Sequence, residues 1–125
     1  MKILRFFSAL TVATGLLLLV SCEYEFIETP APPVTTDTIS FSSDVAPIFS
    51  DDACTACHNG GIAFDLTADN AYNNIVSNNL VVPSDPENSK IWYYPEPANG
   101  QHNSKYSVSN ANTIYSWISQ GALDN

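Results

Sequence analysis

The run Cys54-Thr55-Ala56-Cys57-His58, followed at once by Asn59-Gly60-Gly61, decides how the rest of the chain is read. Two thiols two residues apart can be presented by one tight turn, with an imidazole directly after the second. Three ordinary readings of such a pair fit its surroundings poorly. A redox-active dithiol belongs in a βαβ context with a helix following its first cysteine, whereas Asn59-Gly60-Gly61 breaks the chain just past His58. Zinc needs a fourth ligand and usually a second Cys or His pair, and the one other histidine is His102. A structural disulfide explains neither His58 nor the tight spacing.

What the five residues do match is C-x-x-C-H, the attachment motif of covalent haem. Two thiols add across the two vinyl groups on one porphyrin edge, and His58 then lies under the ring, where its imidazole can ligate the iron. One haem c, held by Cys54 and Cys57 with His58 on the iron, is the expected cofactor.

Outward from the motif, residues 40–49 (SFSSDVAPIF) predict a short preceding helix. Ser42 or Ser43 is its expected cap, Pro47 is tolerated only in its first turn, and Val45, Ile48 and Phe49 share a face. Leu66 to Val76 predicts a helix capped near Thr67 with Ala71, Tyr72 and Ile75 inward. Pro86 to Tyr94 predicts a shorter one whose Ile91, Trp92 and Tyr93 line the ring. Ser107 or Ser109 opens a last helix, with Ala111, Ile114, Tyr115 and Ile118 at i, i+3, i+4 and i+7 and Gly121 past its final turn. The expected fold is all-α, three to four short helices around one haem.

The chain has 125 residues, enough for one domain and short of two, and its 45% hydrophobic and 14% charged composition excludes collagen-like and disordered classes. Thirteen acidic residues face four Lys plus Arg, a net charge of −9. Nucleic acid is therefore a poor partner, because its phosphates would be repelled.

At the N-terminus, Lys2 and Arg5 precede an apolar run, Phe6 to Val20, too short and too badly flanked for a spanning helix but built like an export signal. It ends Leu19-Val20-Ser21-Cys22, which resembles the lipobox of bacterial lipoproteins. That resemblance implies a signal peptide over 1–21 and an acylated Cys22 as first mature residue. Losing Lys2 and Arg5 leaves Lys90 and Lys105 against thirteen acidic side chains, a net charge of −11. Residues 22–40 then form the lipid-bearing Cys22 and a tether with three of the eight prolines. About 18 residues at roughly 3.1 Å each reach about 55 Å from a membrane. Glu23 and Glu25 resemble the acidic signals that carry some lipoproteins to the outer face of the outer membrane. The expected location is the bacterial outer membrane, facing the periplasm or the cell exterior, with the chain anchored rather than spanning. Residues 41–125 hold the function, and a domain this small often needs a cofactor to be stable.

Two longer stretches, DVAPIFSDDACTACHNGGIAFDLTADNAYNNIV and IYSWISQGALDN, resemble the cytochrome c-like domains of bacterial lipoproteins and planctomycete-type cytochromes. These share a D-[IV]-x-P-I-F opening, the CxxCH, a D-L-T stretch and a W-I-x-x-G-A ending. The resemblance spans nearly all of 41–125 and implies an all-α, monohaem, exported electron-transfer domain.

The sequence departs from the commonest pattern at the sixth iron ligand. Its one Met is Met1, which leaves with the signal, so no thioether sulfur is available. His102, in a loop ahead of the last helix, is the candidate distal ligand; the alternatives are Lys105, water or an open position. Three functions follow: an electron carrier with His58/His102 iron, a five-coordinate peroxidase or diatomic-gas-binding protein, and a haem module docking to a larger oxidoreductase. A peroxidase wants a distal Arg, and no Arg follows Arg5. The expected role is therefore outer-sphere electron transfer and not an enzyme activity, with redox protein partners that present a basic docking patch.

Overall fold

The computed structural model describes residues 31–99, 102, 103 and 105–125. The export signal, the lipobox with Cys22 and the first part of the tether lie outside the described residues. Among those described, the regular elements are helices, with no strand.

The first helix, α1, is Ala46–Asp51, continuous with a wide π turn over Phe41–Val45. Pro47 explains the wide turn. It has no N–H, and in a regular helix its ring would strike the Ser43 carbonyl, so the Ala46 N–H reaches back to Phe41 O instead. The cap is Ser40, ahead of the expected Ser42 or Ser43. Its Oγ accepts from Ser43 N at 3.5 Å while Asp44 Oδ2 accepts from Ser40 N at 2.8 Å, a reciprocal arrangement. Val45, Ile48 and Phe49 are buried as expected, together with Phe41.

The second helix, α2, is Ala71–Ser77, starting later than the expected Leu66. Asp65 is the reason: its Oδ1 accepts from Thr67 N at 2.8 Å and Thr67 Oγ1 at 2.7 Å, and its Oδ2 accepts from Asn70 Nδ2 at 2.9 Å. Thr67 is thereby held in a turn rather than as a helix cap. Ala71 and Ile75 are buried and Tyr72 half-buried. Past the end of α2, Asn79 takes φ 52°, and Leu80 N bonds Ile75 O at 2.9 Å, which swings Leu80 inward.

The third helix, α3, is only Lys90–Tyr93, not the whole of Pro86 to Tyr94. The residues before it form turns organised by buried Ser89, whose Oγ accepts from Val82 N at 2.8 Å and donates to Asp85 O at 2.8 Å. The fourth helix, α4, is Val108–Ser119, capped by Ser107, whose Oγ accepts from Asn110 N at 3.1 Å. Ala111, Ile114, Tyr115 and Ile118 are all buried, with Ser116 and Trp117. Gly121 sits at φ 103°, where Ala122 N bonds Trp117 O at 3.0 Å, the termination its glycine predicts.

Trp117 is the centre of the core. Its ring packs 5.2 Å from Phe41, which in turn meets Tyr72 edge-on at 5.1 Å, so α1, α2 and α4 share one aromatic cluster. Asn125 O accepts from Ser42 N at 3.0 Å and joins the last residue to the first helix.

Part of the stretch assigned to the tether is bound to the domain. Ile39 N donates to Gln120 Oε1 at 2.9 Å, Gln120 Nε2 donates to Asp37 O at 2.8 Å, and Thr35 N donates to Ser116 Oγ at 3.3 Å. These contacts begin near Thr35, inside the stretch 22–40 expected as a tether. No helix among the described residues is long and apolar enough to cross a membrane.

Candidate functional site

After α1, Ala53 turns the chain through a left-handed conformation, φ 58°, into a 3₁₀ turn over Cys54–Ala56. Cys57 N and His58 N both bond Cys54 O, at 3.2 and 2.9 Å, so the motif is wound tightly on its first cysteine. Both cysteines are free thiols, Cys54 buried and Cys57 exposed. Burial, reinforced by the Asp52 carboxylate, pushes the Cys54 thiol up to about 11. A nucleophilic thiol at Cys54 needs the opposite shift.

Past His58 the chain folds back on itself. Gly60 takes φ 84°, and Leu66 N bonds His58 O at 2.9 Å, closing a loop that lays Phe64 on the His58 imidazole, 4.4 Å between centroids and 19° between planes. His58 Nδ1 is shut off from solvent and has no hydrogen-bond partner, an uncommon state for a buried polar atom. Burial lowers the His58 pKa below 6.5; the Phe64 backbone opposes this and the nearby His102 adds to it. The imidazole is therefore neutral near pH 7 and keeps a lone pair for a metal.

Against His58 lies an apolar cavity of about 220 Å³. Leu66, Leu80, Ile91 and Pro95 form much of its wall, Cys54 reaches it from the motif, and His102 enters from the loop before α4. The two imidazoles are 6.0 Å apart between centroids with planes 19° apart. No group of three His, Cys, Asp or Glu among the described residues forms a cage for a bare ion. A porphyrin iron, whose ring supplies four nitrogens, would take one or two further donors from the protein, and His58 and His102 are imidazoles that could serve. His58 and His102 as donors, the Cys54 thiol and the apolar wall are the groups that would hold a haem c.

The structure brings Cys54, His58 and His102 to one cavity; Cys57, in the same turn, is exposed and is not among the residues lining it. Lys105, the alternative ligand, donates instead to the carbonyls of Glu96 and Pro97, at 3.5 and 3.4 Å. Of the three residues expected to line the ring, Ile91 lines the cavity. Trp92 turns away to pack 5.2 Å from Tyr115 and donate to Ala111 O at 3.1 Å, and Tyr93 is exposed. Three consecutive helical residues spread over more than half the circumference and cannot share a wall; the residue that joins Ile91 is Tyr94.

Phe64, Leu80 and Tyr106 also line the cavity and were not foreseen. Leu80 had a signal, an apolar residue directly after an asparagine past a helix end. Phe64 had none, because a non-local fold-back places it. Compared with protein-family models, with curated proteins and with solved structures, the chain gives no match.

Proposed function

We propose that this chain is a membrane-anchored monohaem c-type cytochrome that carries electrons between exported redox partners. The observation that supports this most is the His58–His102 pair, 6.0 Å apart beside an apolar cavity reached by a C-x-x-C-H thiol. Cys54 and Cys57 would hold the haem as thioethers, and His58 and His102 would ligate its iron. When bound, the haem supplies a one-electron ferric/ferrous couple. The chain fixes both imidazoles, keeps water out with Leu66, Leu80 and Ile91, and restrains His58 with the Phe64 ring. Imidazole stabilises ferric iron better than thioether does, so the potential lies below that of a His/Met site.

The fold is in this reading a small cytochrome c-like domain, held at the bacterial outer membrane by lipid on Cys22 and facing the periplasm or the cell exterior. Its acidity favours a partner with a basic patch, and the encounter weakens with salt.

Purified protein is expected to give a pyridine haemochrome with the thioether-shifted band and to keep its haem in a denaturing gel. Loss of haem on denaturation, or stoichiometric zinc in its place, overturns the reading. Cys54→Ala or Cys57→Ala is expected to leave little folded protein, since the cofactor supplies much of the core. Cys22→Ala is expected to block acylation while leaving haem binding intact.

A further inference from the structure

Six residues on the cavity lining carry polar or ionisable side chains: Cys54, His58, Lys90, Tyr94, His102 and Tyr106. Cys54, His58 and His102 have parts in attachment and ligation, and the Tyr106 hydroxyl is used on Ile91 O at 2.8 Å. Lys90 and Tyr94 remain. They lie one helical turn apart, joined by the bond from Tyr94 N to Lys90 O at 3.2 Å, and so share a face. Both also line a shallow outer cleft with Glu87 and Asn88, and both are exposed. They therefore stand where the cavity opens to solvent.

Charge narrows what they face. Lys90 and Lys105 are the only basic side chains after residue 22 in a strongly acidic chain. Lys105 is occupied with loop carbonyls. The Lys90 ammonium, despite the surplus of carboxylates, has no hydrogen bond or ion pair to any described residue. An uncommitted ammonium beside a phenol hydroxyl, at the wet rim of an otherwise apolar cavity, makes a carboxylate-binding edge.

We infer that Lys90 and Tyr94 bind the propionate carboxylates of the haem, Lys90 through its charge and Tyr94 through its hydroxyl. The assignment rests on the haem reading above and deepens it. A cation held at the propionates offsets their charge as felt by the iron, so Lys90 keeps the reduction potential from falling further in an acidic domain.

The test is redox potentiometry of the intact holoprotein at fixed pH and salt, comparing Lys90→Met, Lys90→Arg and Tyr94→Phe, each first shown by haemochrome to carry covalent haem. Lys90→Met keeps the aliphatic stem and removes the charge. It is expected to lower the midpoint by the equivalent of about threefold or more in the one-electron equilibrium constant, tenfold being 59 mV. Lys90→Arg should stay near wild type, and Tyr94→Phe should shift the same way as Lys90→Met by less. The propionate bending band in resonance Raman should move in Lys90→Met and Tyr94→Phe. A wild-type midpoint in Lys90→Met with haem attached overturns the assignment, as do equal drops in Lys90→Met and Lys90→Arg. If the wild-type protein carries no covalent haem, the proposed function fails first and the assignment with it.

Discussion

Tyr106 donates its buried phenol hydrogen to Ile91 O at 2.8 Å, and its own N–H bonds Pro95 O at 3.0 Å. One residue just ahead of α4 thus bonds both to α3, at Ile91, and to the segment that follows it, at Pro95. His102 lies in the stretch between Pro95 and Tyr106, whose two ends this clasp joins. Asn99 Nδ2, donating to Tyr93 O at 2.7 Å, adds a second tie.

Tyr106→Phe removes the phenol hydrogen from a buried carbonyl and is expected to cost about 1–3 kcal/mol, read as a lower denaturation midpoint. Because the clasp positions the His102 loop, the ferric spectrum of the variant should also gain a high-spin fraction. A destabilised variant with an unchanged spin state would confine Tyr106 to packing.

If His102 is the distal ligand, wild-type iron is low-spin in both oxidation states, lacks a thioether-to-iron charge-transfer band and binds carbon monoxide slowly or not at all. His102→Ala is expected to turn the protein high-spin, to let carbon monoxide bind readily and to raise the potential as ferric iron loses a strong donor. His58→Ala should instead damage haem retention, since it lies inside the attachment motif. A wild-type protein that is already high-spin and takes up carbon monoxide removes His102 from the iron.

The two cysteines of the motif should be chemically unequal before haem is attached. Cys54 is buried, with its thiol pushed up to about 11, while Cys57 is exposed. Iodoacetamide near neutral pH is expected to modify Cys57 well before Cys54, because the thiolate is the nucleophile and access limits the rest. Peptide mass mapping of the haem-free chain over time would show the order, and equal rates would mean that the buried turn opens without the cofactor.

Acid should weaken the fold partly through Asp65. The Thr67 hydroxyl, then the Thr67 N–H and the Asn70 amide, hold its pKa below 3.8. A carboxylate with a depressed folded pKa contributes stability that is complete above its unfolded value and lost as pH falls through the folded one. The stability gap between wild type and Asp65→Ala should therefore be full at about pH 6 and narrow towards about pH 3, as denaturant midpoints would record. A gap constant over that range would tie the effect to turn geometry rather than charge.

Several features of this protein needed nothing beyond its sequence. The C-x-x-C-H spacing raises the expectation of covalent haem, and no methionine follows Met1, so residues 2–125 offer no thioether ligand. The faces of α4 and the stop at Gly121 follow from a 3.6-residue period and a left-handed cap, both set within one or two turns of chain. Tertiary structure alone decided which aromatic of the Trp92–Tyr94 run meets the cavity, that Phe64 lies on His58, that residues from Thr35 onward dock on α4, and that His102 faces His58. Each depends on hydrogen bonds or ring contacts between segments distant in sequence, such as Leu66 N to His58 O, Ile39 N to Gln120 Oε1 and Tyr106 Oη to Ile91 O. Local propensity fixes backbone conformation over a few residues, whereas the position of an irregular loop is set by partners it meets only once the helices have packed.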